Sequence, residues 1–269
     1  MPAGEGGREV PAVMGIVNVT PDSFFVEGRT EQLDAAIERG ADHFANGAAI
    51  VDVGGESSRP GALSVPEEQE IERVVPVIRA LSSLGRVSVD TVKPGVARAA
   101  VAAGATLLND VSGTLAPVAA ELGVGWVAMH AQGTPATMQA DPHYDDVVAE
   151  VTAWLEARST EARSLGVDEL WLDPGIGFGK SFSHNWSLLR HTDEVVALAR
   201  SVGARVLVGT SRKRFLGEAG GTDLGPEERL AASIATAVAA MAAGADMVRS
   251  HDVKSTVQAA RVFSEKMES

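Results

Sequence analysis

The sequence predicts an α/β fold, a closed (β/α)8 TIM barrel, and three observations carry that expectation. Eight short apolar runs of β type alternate with helical stretches, the pattern of parallel strands joined by crossovers. The runs are continuously apolar instead of alternating, so both faces of the strands are covered. The 269 residues suit one such unit with no linker, since α/β barrels run to about 250 residues as one domain. A doubly wound parallel sheet is the competing arrangement.

The first run is Val13–Val19, ended by Asn18 and Pro21, and Thr30 opens a helical pattern through Leu33, Ala36, Ile37 and Gly40. Ile50-Val51-Asp52-Val53 is the second, closed by Gly54-Gly55. A helix from about Ser64 to Leu84 follows, with Ser64 and Glu67 spaced as a capping box. Val87–Asp90 is third, before an Ala-rich helix from Pro94 to Ala103. Thr106–Asp110 and Trp126–His130 are the fourth and fifth, and a long helical stretch around Asp145–Leu165 leads to the sixth, Leu170–Asp173. Val206–Thr210 and Met247–Arg249 complete the set. Gly40, Gly104, Gly166, Gly203 and Gly244 each precede the next run, where glycine can take the left-handed conformation that ends a helix. Residues 1–12 read as a flexible N-terminal tail and 13–269 as one domain.

Composition narrows the class. A hydrophobic share of 45% supports a sizeable core, and 23 Lys plus Arg against 36 Asp plus Glu leaves a net charge of −13, which disfavours non-specific nucleic-acid or anionic-membrane binding. With no cysteine, disulfides, thiolate zinc sites and a cysteine nucleophile are excluded. Met1–Ala12 lacks the apolar centre of a signal peptide, and no run of about 18 apolar residues exists to span a bilayer. A cytoplasmic protein is expected.

Barrel enzymes place their chemistry at the C-terminal ends of the strands. Those ends here carry Asn18, Asp52, Asp90, Asn109 with Asp110, His130, Asp173, Ser211 to Lys213, and Arg249 with His251. Any one could be a helix N-cap, for which Asn and Asp are preferred, but the set converges as a polar site. Ser211-Arg212-Lys213-Arg214 after the seventh run suits an anion, because the loops after strands seven and eight of such barrels frequently bind phosphate. Gly175–Ser181 has three residues between its outer glycines where a Walker loop needs four, and His43, His143, His184 and His191 show no zinc-ligand spacing.

Taken in order, the strand-end segments resemble those of the dihydropteroate synthase family. The matching stretches are Asn18–Phe24, Gly55–Gly61, Asp90–Lys93, Asn109–Gly113, Met129–Gly133, Asp173–Lys180, Ser211–Lys213 and Arg249–Asp252. The resemblance implies a pterin-binding barrel, commonly homodimeric, that joins 6-hydroxymethyl-7,8-dihydropterin diphosphate to 4-aminobenzoate with loss of diphosphate. It implies that Asp90, Asn109 and Asp173 read the pterin edge, with Lys213 nearby and Met129 packed on the ring. Asn18, Arg249 and His251 would attend the diphosphate and its Mg²⁺, with Asn18 toward the metal. The aminobenzoate would lie by Ser58, Arg59, Pro60, Phe178 and Lys213. Catalytic weight would fall on Asp90, Asp173, Lys213 and Arg249, without a covalent enzyme nucleophile. The Ala-rich Leu230–Ala243 stretch offers a flat helical dimer face.

The first loop departs from the family. Where members usually continue with Ser-Asp-Gly-Gly, this chain reads Phe25-Val26-Glu27-Gly28-Arg29, and the family's loop aspartate falls on Val26. Ser58, Ala131 and Ser250 are smaller departures. Because losing one electrostatic stabiliser removes about 10²–10³ in rate, the first expectation is a divergent homologue that keeps a pterin and diphosphate pocket with weak or absent synthase activity. The alternative is a working synthase with its loop rebuilt around Glu27. A methyltetrahydrofolate-type pterin methyltransferase shares the barrel, but its donor lacks the diphosphate that Ser211–Lys213 and Arg249–His251 suit.

Overall fold

A computed structural model of the chain describes residues 10–19, 29–57, 64–133, 137–219 and 224–265. Most of the expected tail therefore lies outside the described residues. Eight strands form in the expected places: β1 Ala12–Asn18, β2 Ile50–Gly54, β3 Arg86–Asp90, β4 Leu107–Asp110, β5 Gly125–Met129, β6 Leu170–Asp173, β7 Arg205–Val208 and β8 Met247–Ser250. Each pairs in parallel with the next, and β1 also pairs with β8, Met14 against Arg249, so the sheet closes. Closure decides against a doubly wound sheet.

The described residues form ten helices instead of eight. They are α1 Arg29–Ala45, α2 Glu67–Leu81, α3 Pro94–Ala102, α4 Ala116–Leu122, α5 Val147–Ser164, α6 Phe182–Arg190, α7 Thr192–Ser201, α8 Arg214–Glu218, α9 Leu230–Ala242 and α10 Val253–Ser264. The surplus comes from two doubled crossovers. His191 leaves helical geometry between α6 and α7 (φ −110°, ψ 30°), and α8 is a short turn before α9.

Two local expectations fail for physical reasons. The capping box at the start of α2 does not form. Pro66 is the N-cap, and Ser64 Oγ donates to Glu56 instead, at 3.2 Å. Gly40 does not end a helix but lies inside α1, where a Cβ would collide with Leu81. Gly47, at φ 94°, makes that turn, whereas Gly104, Gly166, Gly203 and Gly244 all take positive φ as expected.

Alternation along the strands creates two cores. Val51, Val53, Val87, Val89, Leu108, Ala128 and Leu172 point outward and join the buried faces of the helices in the main cluster. Ile50, Leu107, Trp171 and Met247, one from each even-numbered strand, close the barrel interior with Met14, Val127 and Leu207. Two residues further along those same even strands come Asp52, Asn109, Asp173 and Arg249. Barrel interiors stack in layers of four from alternate strands, so an apolar floor carries a layer that is polar at every position.

Candidate active site

That polar layer is the base of the site. Asn109 Nδ2 donates to Asp52 Oδ2 at 2.8 Å, and Arg249 Nε donates to the same oxygen at 2.7 Å. Arg249 Nη2 reaches the carboxylate of Asp90, at the end of β3, also at 2.7 Å. Burial opposes the charge on Arg249, but Asp52 and Asp90 outweigh it and hold the guanidinium above its ordinary pKa. Burial pushes Asp90 up to about 7 in spite of Arg249, with Asp52 adding to the rise. Asp173 is likewise raised by burial, against the pull of Lys213. A site with too much carboxylate and too little water favours a ligand that donates hydrogen bonds.

Lys213 comes from the β7–α8 turn. Its Nζ donates to the Ile176 carbonyl and lies 4.4 Å from the centroid of the Phe178 ring. Burial lowers this lysine to about 8, opposed by Asp173. Met129, at the end of β5, packs with Val111, Met138 and Phe178 in a small apolar cluster beside the polar layer. An apolar cluster and a set of carboxylates therefore both contribute to this end of the barrel. His251 binds Ser211 twice, through Nδ1 at 3.0 Å and through its backbone N–H at 3.2 Å, which ties the ends of β7 and β8 together.

The basic segment after β7 is divided. Only Lys213 enters the site. Arg212 has φ 57° and turns away to make paired hydrogen bonds with Asp252 at 3.0 and 2.7 Å and with Glu227 at 2.9 and 2.8 Å. Arg214 lies over Phe182. Asp110 also leaves the set. Its carboxylate accepts from Ser112 N, Thr114 N, Leu115 N and Trp126 Nε1, so it is spent on holding the turn that leads from β4 into α4.

The structure thus brings Asp90, Asn109, Met129, Asp173, Phe178, Lys213, Arg249 and His251 to one end of the barrel. Asn18 ends β1 on the same side, where a Cβ on Gly54 would lie 3.8 Å from its Oδ1 and 3.5 Å from Asp90 Cβ. Ser58, Arg59 and Pro60 lie outside the described residues, as do Phe25, Val26, Glu27 and the side chain of Arg29. What is described of the second loop is its base. Glu56 accepts from Val65 N at 2.8 Å and from Lys93 Nζ at 2.5 Å, and Lys93 also pairs with buried Glu70 at 2.6 Å.

Sequence reasoning counted Asp52 among the polar strand ends without giving it a partner or a role, and gave no role to Ser88 or Lys180. Lys180 is buried, and its Nζ donates to His130 Nδ1 at 2.9 Å, to His130 O at 3.2 Å and to Phe178 O at 3.1 Å, which pins the β6–α6 loop from below. The signal for Asp52 was its place inside an otherwise apolar strand. Lys180 stood in a glycine-rich stretch whose spacing fits no phosphate loop, and its inward course is set by the fold.

A family described as pterin binding enzyme matches residues 14–251. Dihydropteroate synthase of Escherichia coli strain K12 is 45% identical over 260 residues, covering 94% of this chain and 90% of that protein. The dihydropteroate synthase structure from Xanthomonas albilineans with 4-aminobenzoic acid is 46% identical, covers 94% of this chain and 92% of that one, and has a TM-score of 0.84. The Yersinia pestis dihydropteroate synthase in a sulfonamide drug complex is 39% identical, covers 94% and 93%, and has a TM-score of 0.86.

Proposed function

The chain belongs to the dihydropteroate synthase family of pterin-binding enzymes of the folate pathway, and on that premise we propose that it is a working dihydropteroate synthase. It would condense 6-hydroxymethyl-7,8-dihydropterin diphosphate with 4-aminobenzoate. The observation that carries this reading is the intact polar layer with Asp90 and Lys213, in a chain 45% identical over nearly its whole length to a named synthase. Likeness at that level favours turnover over the weak or absent activity expected from Val26. The bound 4-aminobenzoic acid of the Xanthomonas protein supports the second substrate.

In this mechanism the carbon–oxygen bond between the pterin methylene and the diphosphate breaks, and the arylamine nitrogen forms the new carbon–nitrogen bond and sheds a proton. Asp90, Asn109 and Asp173 hold the ring by its N–H edge while Met129 packs on its face. Arg249 commits Nε and Nη2 to Asp52 and Asp90, which leaves Nη1 for the departing diphosphate alongside His251. Lys213 lies over the Phe178 ring and within the field of Asp173, where its charge would serve both substrates. Catalysis of this kind is positioning and fixed charge.

Mg²⁺ belongs to the same proposal. Among the described residues no group of three or more His, Asp and Glu could hold a metal alone. Asn18, a single neutral oxygen donor at the mouth, fits an ion that takes most of its ligands from diphosphate oxygens and water, as Mg²⁺ commonly does. The ion would offset diphosphate charge.

A homodimer is also proposed. Leu230, Ile234 and Val238 of α9 and Ala259, Val262 and Phe263 of α10 line an apolar groove on the outer wall, with Leu230 41% and Val262 69% exposed. A second copy of the chain is the occupant that this face fits.

The assay is dihydropteroate formation by the purified chain with both substrates and Mg²⁺, beside Val26→Asp. Turnover within about tenfold of that variant is expected. A wild-type rate lower by about 10²–10³ and restored by the aspartate would overturn the proposal.

A further inference from the structure

Asp52 has no exposed surface and lies between Val51 and Val53 in β2. It nevertheless collects donors from three other strands. Ser88 Oγ of β3 donates to Oδ1, and Asn109 Nδ2 of β4 and Arg249 Nε of β8 both donate to Oδ2. A carboxylate fixed against a guanidinium, a hydroxyl and an amide can only accept.

The consequence lies in Asn109. A primary amide has a donating end and an accepting end of nearly the same shape, and which end faces the pocket depends on its neighbours. Asp52 compels Nδ2 to turn toward it. The other end, Oδ1, is buried and has no hydrogen-bond partner among the described residues. The polar layer therefore holds an unsatisfied acceptor, and such a group is expensive to leave unmet in a buried place. A ligand N–H satisfies it. A pterin ring, with its amino group and ring N–H donors, is a ligand of that polarity.

We infer that Asp52 is a positioning residue that sets the hydrogen-bond polarity of the pterin pocket, by holding Asn109 with its carbonyl oxygen toward the ligand. The inference rests on the pterin reading of the site. Asp52, with no exposed surface, would act through Asn109 and Arg249. The same oxygen roots Arg249 at Nε, so ring recognition and the diphosphate-facing cation share one buried carboxylate. Asparagine at this position would not do the same work. Two facing amides can satisfy one another in either sense, and Asn109 would be free to turn its donating end to the ring.

The test is titration of the full chain with 6-hydroxymethyl-7,8-dihydropterin diphosphate and Mg²⁺, for wild type, Asp52→Asn and the reciprocal double variant Asp52→Asn with Asn109→Asp. Wild type is expected to bind. Asp52→Asn should weaken the Kd, and raise the KM for this substrate, by about 10- to 100-fold, the scale of one buried hydrogen bond left unmade. The KM for 4-aminobenzoate should not follow. In the double variant an amide at position 52 donates to a carboxylate at 109, which can show the ring only an acceptor, and at least tenfold of the lost affinity should return. Binding by Asp52→Asn within twofold of wild type, or no recovery in the double variant, overturns the inference while leaving the proposed function standing. Failure of wild type to bind the diphosphate ester overturns the proposed function, and the inference with it. If Asp52→Asn does not fold, proton exchange of the Asn109 side-chain amide in wild type decides. A slowly exchanging Nδ2 proton without ligand is expected, and fast exchange of both protons overturns the inference.

Discussion

His130 shows how a residue legible only as a polar strand end becomes something else when packed. Its Nδ1 is taken by Lys180 Nζ, and Trp154 meets the ring edge-on at a centroid distance of 5.1 Å. Burial, reinforced by the Lys180 charge, lowers its pKa to about 3. The unfolded chain, with a histidine near 6.5, therefore takes up a proton first as pH falls. Stability contributed by the neutral ring is present above 6.5 and is lost progressively between 6.5 and about 3. Asp90, raised to about 7 by burial, acts in the opposite sense between 3.8 and 7. The two are separated by comparing wild type with His130→Gln in urea melts at stepped pH. The variant should lose less stability than wild type between pH 6.5 and 4, and an equal loss would refute the assignment. Lys180 was not legible as a partner because fifty residues and a β-strand separate it from His130.

At the scale of elements, strand existence and order were readable because continuous apolar runs punctuated by glycine have few other readings. Caps were less so. Ser64 and Glu67 had the spacing of a capping box, but Ser64 is drawn to Glu56. Ser181, with His184 three residues on, forms the box that opens α6 instead. The loop between β6 and α6 is decided by backbone crowding. Gly175 has φ 67°, its N–H donates to Asp173 Oδ1 at 2.7 Å, and a Cβ there would overlap the His130 carbonyl oxygen. Gly175→Ala should therefore displace Asp173 and Phe178 together. We expect loss of at least about 2 kcal/mol, or roughly 4–8 °C in Tm, and a fall in pterin affinity, both measured on a chain whose far-ultraviolet circular dichroism is unchanged. A variant with wild-type Tm would show that the loop yields more easily than its packing implies.

For the whole molecule, the net charge of −13 said little about the site, because Lys213 and Arg249 are gathered at one end of a barrel whose surface carries the acid. The apolar groove of α9 and α10 is the matching case on the outside. Val262→Asp should convert the proposed homodimer to a monomer in sedimentation equilibrium without moving the melting transition of the barrel by more than a few degrees, and a dimer that persists would place the interface elsewhere. No helix among the described residues is long and apolar enough to cross a membrane. The sequence by itself determined the barrel, the order of its strands and the residue types at its mouth, since periodicity and strand-end chemistry are local properties written one element at a time. Only the tertiary structure decided that Asp110 holds the turn before α4, that Arg212 faces away, and that Asp52 joins Ser88, Asn109 and Arg249. Those contacts cross up to 197 positions of sequence, and what selects them is closure of the sheet, which sets side chains of alternate strands at one height.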